Sequence, residues 1–522
     1  MVSLTKMVRF VSSLIPIAAL AALGMARFAN AAGPVAINVK TAATTPLPLG
    51  FSGLNAPQMR NGVEYWDNGF LEQSKALKPG WLRTPAGTAS MDFDWSAGHV
   101  NPMWMDDLIS GSSPLVPAGT ATILTSAAQL TQAKGGIYLS DYAKFAKALK
   151  AKTVICVNGY TDNHANSTGN YATTAQSLGL NVLEWEFSNE PYLYPAIFAS
   201  AQDYATAMQD PYYEQLEAAT PNAAGALFYQ GLFSGGRTAA WDDAMEAVTP
   251  RYWNAVSTHV YPIQTLQSAA DDIKTLNGIL AHGTNEYISS YLVPKTGAGT
   301  PLYITEFNCC KLENDKFLTY IYNGIFLAEY TMRMALAPNM KGVAVNSLYT
   351  DNYDNHGLIH SVDDFESYLF AQLAANPDYS TDTASNPNTQ FQFYMSAPGL
   401  AMELADTAIN ASTAMYPTTV TGGPKVAISG YDGKPIPAIY AQGYKGPAGK
   451  HYLLITNKSG TAESVKLKAN GHALTGSVSL EYISSATAGA ANSATAQNVT
   501  IQTATSANPI SVGPYSVTLA SW

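Results

Sequence analysis

The strongest constraint on this chain is an alternation running from residue 49 to about residue 410. Short apolar runs of strand length recur eight times: Leu49–Asn55, Trp81–Pro85, Thr153–Asn158, Val182–Ser188, Ala226–Gln230, Val256–Tyr261, Leu302–Asn308 and Val343–Tyr349. Between them lie stretches with helical spacing: Phe70–Lys78, Asp141–Lys152, Ala172–Leu178, Ala199–Ala219, Ala239–Val248, Ser268–His282 and Phe317–Ala335. A last one, Phe393–Ile409, follows the eighth strand. Eight strands alternating with helices predict an α/β fold, a closed parallel (β/α)8 barrel over residues 49–410, rather than an open sheet.

From about Ala411 the pattern changes. Short β-prone runs follow one another without helices: Val426–Ile428, Tyr452–Ile455, Val465–Leu467, Val478–Tyr482, Val499–Ile501 and Tyr515–Leu519. Turn residues separate them, which predicts an all-β sandwich domain over 411–522. The Ala-, Ser- and Thr-rich stretch Ser484–Gln497 reads as a flexible loop. Ahead of the barrel, Val35–Val39 alternates like one strand, and residues 32–48 are expected to lend it to the sandwich.

The first 31 residues read as a signal peptide. Lys6 and Arg9 form a basic start, Val11 to Leu23 is an apolar run too short to span a bilayer comfortably, and Ala29-Asn30-Ala31 is a small-x-small cleavage site. A secreted or periplasmic protein is expected, with no membrane segment after that removal. Charged residues are only 13% of the chain and the formal net charge is −10, so an acidic surface argues against nucleic acid and anionic lipid as partners. The 31 Tyr and 8 Trp suit neutral, hydroxyl-rich ligands, whose C–H faces stack on aromatic rings, or else reflect a compositional habit of the source. Three cysteines make no disulfide framework. Cys156 reads as a buried thiol. Cys309 and Cys310 are neighbours whose bonding would close a strained ring, so the free and bonded forms both stay open.

Four strand ends carry chemistry. The fourth runs Trp185-Glu186-Phe187-Ser188-Asn189-Glu190-Pro191. In a parallel barrel the C-terminal strand ends form the active face. A Glu190 carboxyl there can protonate a leaving oxygen while Asn189 holds a sugar hydroxyl. The seventh runs Pro301 to Asn308 and delivers Glu306, so two carboxylates can flank one glycosidic bond. Arg83 ends the second strand and is expected to hold Glu306 ionised. The sixth, Ser257-Thr258-His259-Val260-Tyr261-Pro262, offers Tyr261 as a hydrogen-bond donor to Glu306 and His259 as a substrate contact or a brace. Glu190 is expected to be protonated, raised by the like charge of Glu306.

Together these features resemble the retaining (β/α)8 glycosidases of clan A. The segments Asn189 to Tyr194 and Leu82 to Trp95 resemble family 79, the β-glucuronidases and heparanases. The segment after Glu306 and the ending Val512 to Leu519 resemble family 51, the arabinofuranosidases. The resemblance implies Glu190 as acid/base, Glu306 as nucleophile, Asn189 on the sugar 2-hydroxyl, and Arg83 and Tyr261 as supports of the nucleophile. It sets Tyr349 where an eighth-strand Trp is common. It also sets Cys309-Cys310-Lys311 where family 79 keeps a Gly-rich loop for a uronate carboxylate, which makes Lys311 a substrate-binding candidate.

The expected protein is therefore a secreted retaining glycoside hydrolase acting on a terminal sugar, best read as β-glucuronidase-like. An α-L-arabinofuranosidase or a β-xylosidase or glucosidase is the rival within the class. An inactive carbohydrate-binding protein is the rival outside it, disfavoured because a binder need not keep two carboxylates that repel each other. No cofactor and no metal are expected: there is no zinc motif, phosphate loop or Gly-x-Ser-x-Gly elbow. Asp351, Asp354 and His356 have Ca²⁺-ligand chemistry but read better as a solvated loop. Asp162, Asn163 and His164 read equally as pocket lining and as a capped turn.

Overall fold

The computed structural model describes residues 33–56, 65, 67, 69–110, 113–134, 136–231, 238–265, 267–311, 315–350, 355–362, 371–372, 374–376 and 392–522. Residues 1–31, read above as a leader, lie outside the described residues, as do Asp351 and Asp354.

Eight parallel strands close a barrel in sequence order: β1 (Ser52–Asn55), β2 (Trp81–Thr84), β3 (Lys152–Val157), β4 (Val182–Phe187), β5 (Gly225–Phe228), β6 (Ala255–Val260), β7 (Leu302–Phe307) and β8 (Met340–Val345). The ring closes where Val343, Ala344 and Val345 pair with Ser52, Gly53 and Leu54. Gly53 is required there: a Cβ would stand 2.3 Å from the Trp81 indole, which fills the barrel floor. Each expected strand is present; the first starts three residues late and still ends at Asn55, and the other seven end early because the active-face loops begin one to four residues before the apolar runs stop.

The helical stretches hold with three exceptions, the first being Phe317–Ala335, where a 3₁₀ turn Lys316–Thr319 and the extended Tyr320 precede a helix that starts at Ile321. Ala199–Ala219 is broken at Asp210, whose backbone is extended before Pro211, since a proline disfavours the helical conformation in the residue before it. Phe393–Ile409 divides into a strand, Phe393–Met395, and a helix, Ala397–Ile409, started by the Ser396 cap and Pro398. Two helices after β2, Pro102–Ile109 and Ala118–Lys134, carried no clear sequence periodicity. No helix among the described residues is long and apolar enough to cross a membrane.

The C-terminal region is a sandwich of two sheets. One contains Thr418–Thr421, Val35–Val39 and Glu463–Ala469, so the N-terminal strand does enter it, antiparallel to the first and parallel to the second. The other runs through Ala414–Tyr416, Ile439–Lys445, His451–Asn457, Ser516–Ser521, Ser477–Ser484 and Gln502–Ala507. Strand alternation divides the labour. Leu453 and Ile455 face the sandwich core with Ile37, Val465 and Leu480, whereas Tyr452 and Leu454 turn to the barrel. The helix Ile321–Met334 lies between the two domains and is buried at every position except Arg333. Val499–Ile501 forms no strand. Ser484–Gln497 is docked rather than loose: Ala488 and Ala490 carbonyls accept from Tyr322 and Ile321, and Asn492 is buried against Met395 and Val499.

Candidate functional site

The site is built at the C-terminal ends of β1, β2, β4, β6, β7 and β8. Along β4, Trp185 and Phe187 face the surrounding helices, and period two sends Glu184 and Glu186 into the barrel. The chain then turns sharply. Ser188 has φ 72° and Glu190 has φ 50°, both left-handed, a conformation that costs a non-glycine residue of order 1–3 kcal/mol. A short 3₁₀ turn, Pro191–Leu193, follows directly and fixes Glu190 at the rim.

Opposite, β6 and β7 pair in simple register through Thr258 and Ile304. The register then shifts, so that His259 stands beside Glu306. This irregularity brings the two carboxylates to one imidazole. His259 Nδ1 lies 3.0 Å from Glu190 Oε1 and 3.5 Å from Glu306 Oε2. Glu306 is held from both sides: Oε1 accepts from Arg83 at 2.5 Å and Oε2 from the Tyr261 hydroxyl at 2.8 Å. Burial, then the negative charges of Glu306 and Glu190, push the Tyr261 hydroxyl well above its usual range, so it remains a donor. Asn346, just past β8, donates to the same hydroxyl at 2.8 Å. With one hydrogen and that acceptor position filled, Tyr261 must direct its proton at Glu306.

Arg83 is fully buried and its guanidinium is saturated. It donates to Glu186, Glu306, Asn55 and Asn189, with the Cys156 sulfur at 3.4 Å. Asn189 therefore spends its oxygen on Arg83. Its carbonyl accepts from the Tyr160 hydroxyl at 2.5 Å, which fixes the loop carrying Glu190.

Glu190 departs from expectation. Burial pushes its carboxyl up, but the His259 hydrogen bond and charge, the charge of Lys311 and the Tyr192 hydroxyl outweigh burial and bring it down to about 2. The like charge of Glu306 thus does not decide its state.

Lys311 is exposed at the mouth, close enough for its charge to act on Glu190. Tyr349 is not at the site. Its ring is buried between Phe70 and Phe393 and its hydroxyl reaches Ser361, because the chain beyond Asn346 turns inward and hydrogen-bonds back to β1 through Leu348. Asn346 stands in its place. Asp162 forms a local turn, accepting from His164 N and Ser167 Oγ, while His164 leans on the Trp104 ring. His356 is buried with Nε2 2.8 Å from the Cys310 carbonyl. Among the described residues no group of three His, Cys, Asp or Glu side chains is gathered as for a metal ion. All three cysteines are buried free thiols.

Sequence reasoning missed Glu186, Asn55, Tyr192, Asn346 and Tyr160. For Glu186 there was a signal: two acidic residues alternating with aromatics in an otherwise buried strand. Asn55 ends β1, and the others follow strand ends, where only the fold sets the direction of the chain.

A closed parallel barrel followed by a β-sandwich is a fold this chain shares with solved glycoside hydrolases. Three solved structures are similar in fold over nearly their whole length. The family 51 α-L-arabinofuranosidase AbfB of Bifidobacterium longum is 13% identical with a TM-score of 0.63, covering 94% of this chain and 99% of that one. The GH51 α-L-arabinofuranosidase of Thermotoga petrophila is 14% identical with a TM-score of 0.62, covering 94% and 100%. The 4-O-α-L-rhamnosyl-β-D-glucuronidase of Fusarium oxysporum is 13% identical with a TM-score of 0.54, covering 93% and 100%. No family model matches the sequence, and no curated protein matches it.

Proposed function

We propose that this chain is a retaining glycoside hydrolase of the extracytoplasmic space. The observation that carries the reading is the single His259 nitrogen within 3.0 Å of one carboxylate and 3.5 Å of the other. Two carboxylates that share a nitrogen at such distances fit the retaining spacing of about 5–5.5 Å, not the wide inverting gap of up to about 9.5 Å. Glu306 attacks the anomeric carbon, and Arg83 and Tyr261 fix its two oxygens. Glu190 delivers a proton to the leaving oxygen. In the second half Glu190 takes a proton from water as the glycosyl–Glu306 bond breaks. The leader-like residues 1–31 support secretion.

For the sugar, a β-glucuronide is the first reading. A uronate brings a negative charge to a site holding three carboxylates, and Lys311 at its mouth offers a cation to offset it. An α-L-arabinofuranoside is the second, favoured by the fold likeness to two arabinofuranosidases. A panel of nitrophenyl glycosides covering glucuronide, arabinofuranoside, xyloside and glucoside tests both, with the first-formed anomer read by NMR. A retained product from the glucuronide, with Lys311→Ala raising KM for it far more than for a neutral glycoside, is expected. Inverted product overturns the retaining reading, and no turnover on any member overturns the glycosidase reading. A higher kcat/KM on the arabinofuranoside overturns the uronidase.

A further inference from the structure

Beneath the paired carboxylates lies a third that the reaction above does not use. Glu186 is fully buried in the barrel, one inward step down β4 from Ser188. Its Oε2 accepts from Arg83 Nε at 2.5 Å and from the Cys156 thiol at 3.0 Å, while Oε1 has no hydrogen-bond partner. Burial holds Cys156 in its thiol form, so it donates a hydrogen rather than a charge. The same guanidinium places another nitrogen 2.5 Å from Glu306 Oε1. One cation is thus divided between two buried carboxylates, in surroundings where Coulomb forces are poorly screened.

We propose that Glu186 is a positioning residue that sets the reactivity of Glu306 by taking up part of the Arg83 charge. The inference rests on the glycosidase reading. In the first step a Glu306 oxygen pair forms the bond to the anomeric carbon, the bond to the leaving oxygen breaks, and that oxygen takes a proton from Glu190. Glu306 loses its negative charge as this happens. An Arg83 devoted to Glu306 alone would hold the carboxylate in its charged ground state and slow the attack. In the second step the pair returns to Glu306, and the same undivided cation would speed departure. Glu186 therefore favours attack at the expense of release.

Other charged or titratable groups face this pair. Against Glu306 stand Arg83, Tyr261 and His259, with Glu190 behind His259 and Lys311 at the mouth. Against Glu186 stand Arg83, Cys156, Glu184 and Tyr204. Of these, only Arg83 touches both carboxylates.

The test is Glu186→Gln, which keeps the shape and an acceptor for Arg83 Nε while removing the charge. On substrates with poor leaving groups kcat/KM should fall by about tenfold, while kcat on an activated aryl glycoside, limited by release, should hold or rise. The acid limb of kcat/KM should move to lower pH by about half a unit or more, since Glu306 loses a like-charged neighbour and gains a larger share of Arg83. Glu186→Asp, which keeps the charge, should restore the limb. A purely structural role would lower both rates together and leave the limb in place, and that result overturns the proposal. Should Glu186→Gln fail to fold, Cys156→Ala decides. Without the thiol donor Glu186 draws harder on Arg83, and the acid limb should move to higher pH; an unchanged or lower limb overturns the proposal. Labelling by a 2-fluoro analogue of the preferred sugar separates the two levels. If the wild type is not labelled at Glu306 the glycosidase reading fails, whereas a labelled wild type with unmoved limbs sinks only the role of Glu186.

Discussion

Two buried polar clusters in this protein look alike in composition and differ in how they are finished. Between the domains, Glu329 is closed on every side: Oε1 accepts twice from Arg333, and Oε2 accepts from Thr456 at 2.7 Å and Lys458 at 2.5 Å. Arg333 stacks over the Tyr440 ring at 4.0 Å. In the barrel mouth the same kinds of group are left partly open. Glu186 Oε1, Glu184 Oε2 and His259 Nε2 are buried without hydrogen-bond partners, and both Asp92 oxygens in the loop after β2 are too. A buried charge is tolerated when fully paired, and each orphaned polar atom costs about 1–3 kcal/mol. The interdomain cluster is finished for stability. The barrel cluster carries unmet polar atoms beside and beneath the paired carboxylates Glu190 and Glu306.

The comparison can be broken in order of expected effect. Glu306→Ala should cut turnover by at least about 10⁴-fold, with azide restoring activity and inverting the product. Its loss of folding stability should be smaller than that of Glu329→Ala, since Arg83 keeps Glu186, Asn55 and Asn189. More than a few per cent residual activity would remove Glu306 from its role.

Glu329→Ala should cost about 3–5 kcal/mol, because it strands the fully buried Lys458. Per folded molecule kcat/KM should be unchanged, as read by chemical denaturation beside steady-state kinetics. The carboxyl of Glu329 is pushed up by burial but lowered overall by the Lys458 and Arg333 charges. Its stabilisation is therefore present above the ordinary Glu pKa, here 4.5, and lost as pH falls through the depressed one. Glu329→Gln should flatten the acid limb of stability against pH; a parallel limb would mean the cluster is not what acid breaks.

Tyr261→Phe should lower kcat by about 10- to 100-fold, the worth of one hydrogen bond to a charged group, with the melting temperature nearly unchanged. An effect under twofold would show that Arg83 alone fixes Glu306.

The last effect, on Asp92, is read only through pH. Burial pushes its carboxyl up to about 8. Between its ordinary value of 3.8 and about 8 the folded protein keeps a proton the unfolded chain has lost, so stability declines as pH rises through that window. Asp92→Asn should remove this decline in melting temperature between pH 5 and 8. A wild-type slope that survives the substitution would assign it to another group.

Much of the fold was legible because it rests on local pattern. Eight apolar runs and the helices between them announce the barrel, and the strand-ending carboxylates Glu190 and Glu306 announce the candidate site. Arg83 and Tyr261 could be matched to Glu306 because strand ends of one barrel must converge. Tyr349 was misplaced because nothing in Asn346 to Thr350 says where β8 stops, and a few residues decide whether a side chain enters the mouth or the packing behind it. The docking of Ser484–Gln497 was hidden because its small polar residues find partners only on another domain.

The sequence by itself determined the order of strands, the acidic net charge, and which residue types stand at which strand ends. These follow from periodicity and side-chain chemistry, which each segment carries alone. Only the tertiary structure decided which groups share a proton or a cation. The register shift that sets His259 beside Glu306, the division of Arg83 between Glu186 and Glu306, and the downward push on Glu190 all arise between segments far apart in the chain. Charge energies depend on distances of a few ångströms and on exclusion of water, and neither exists until the barrel has closed.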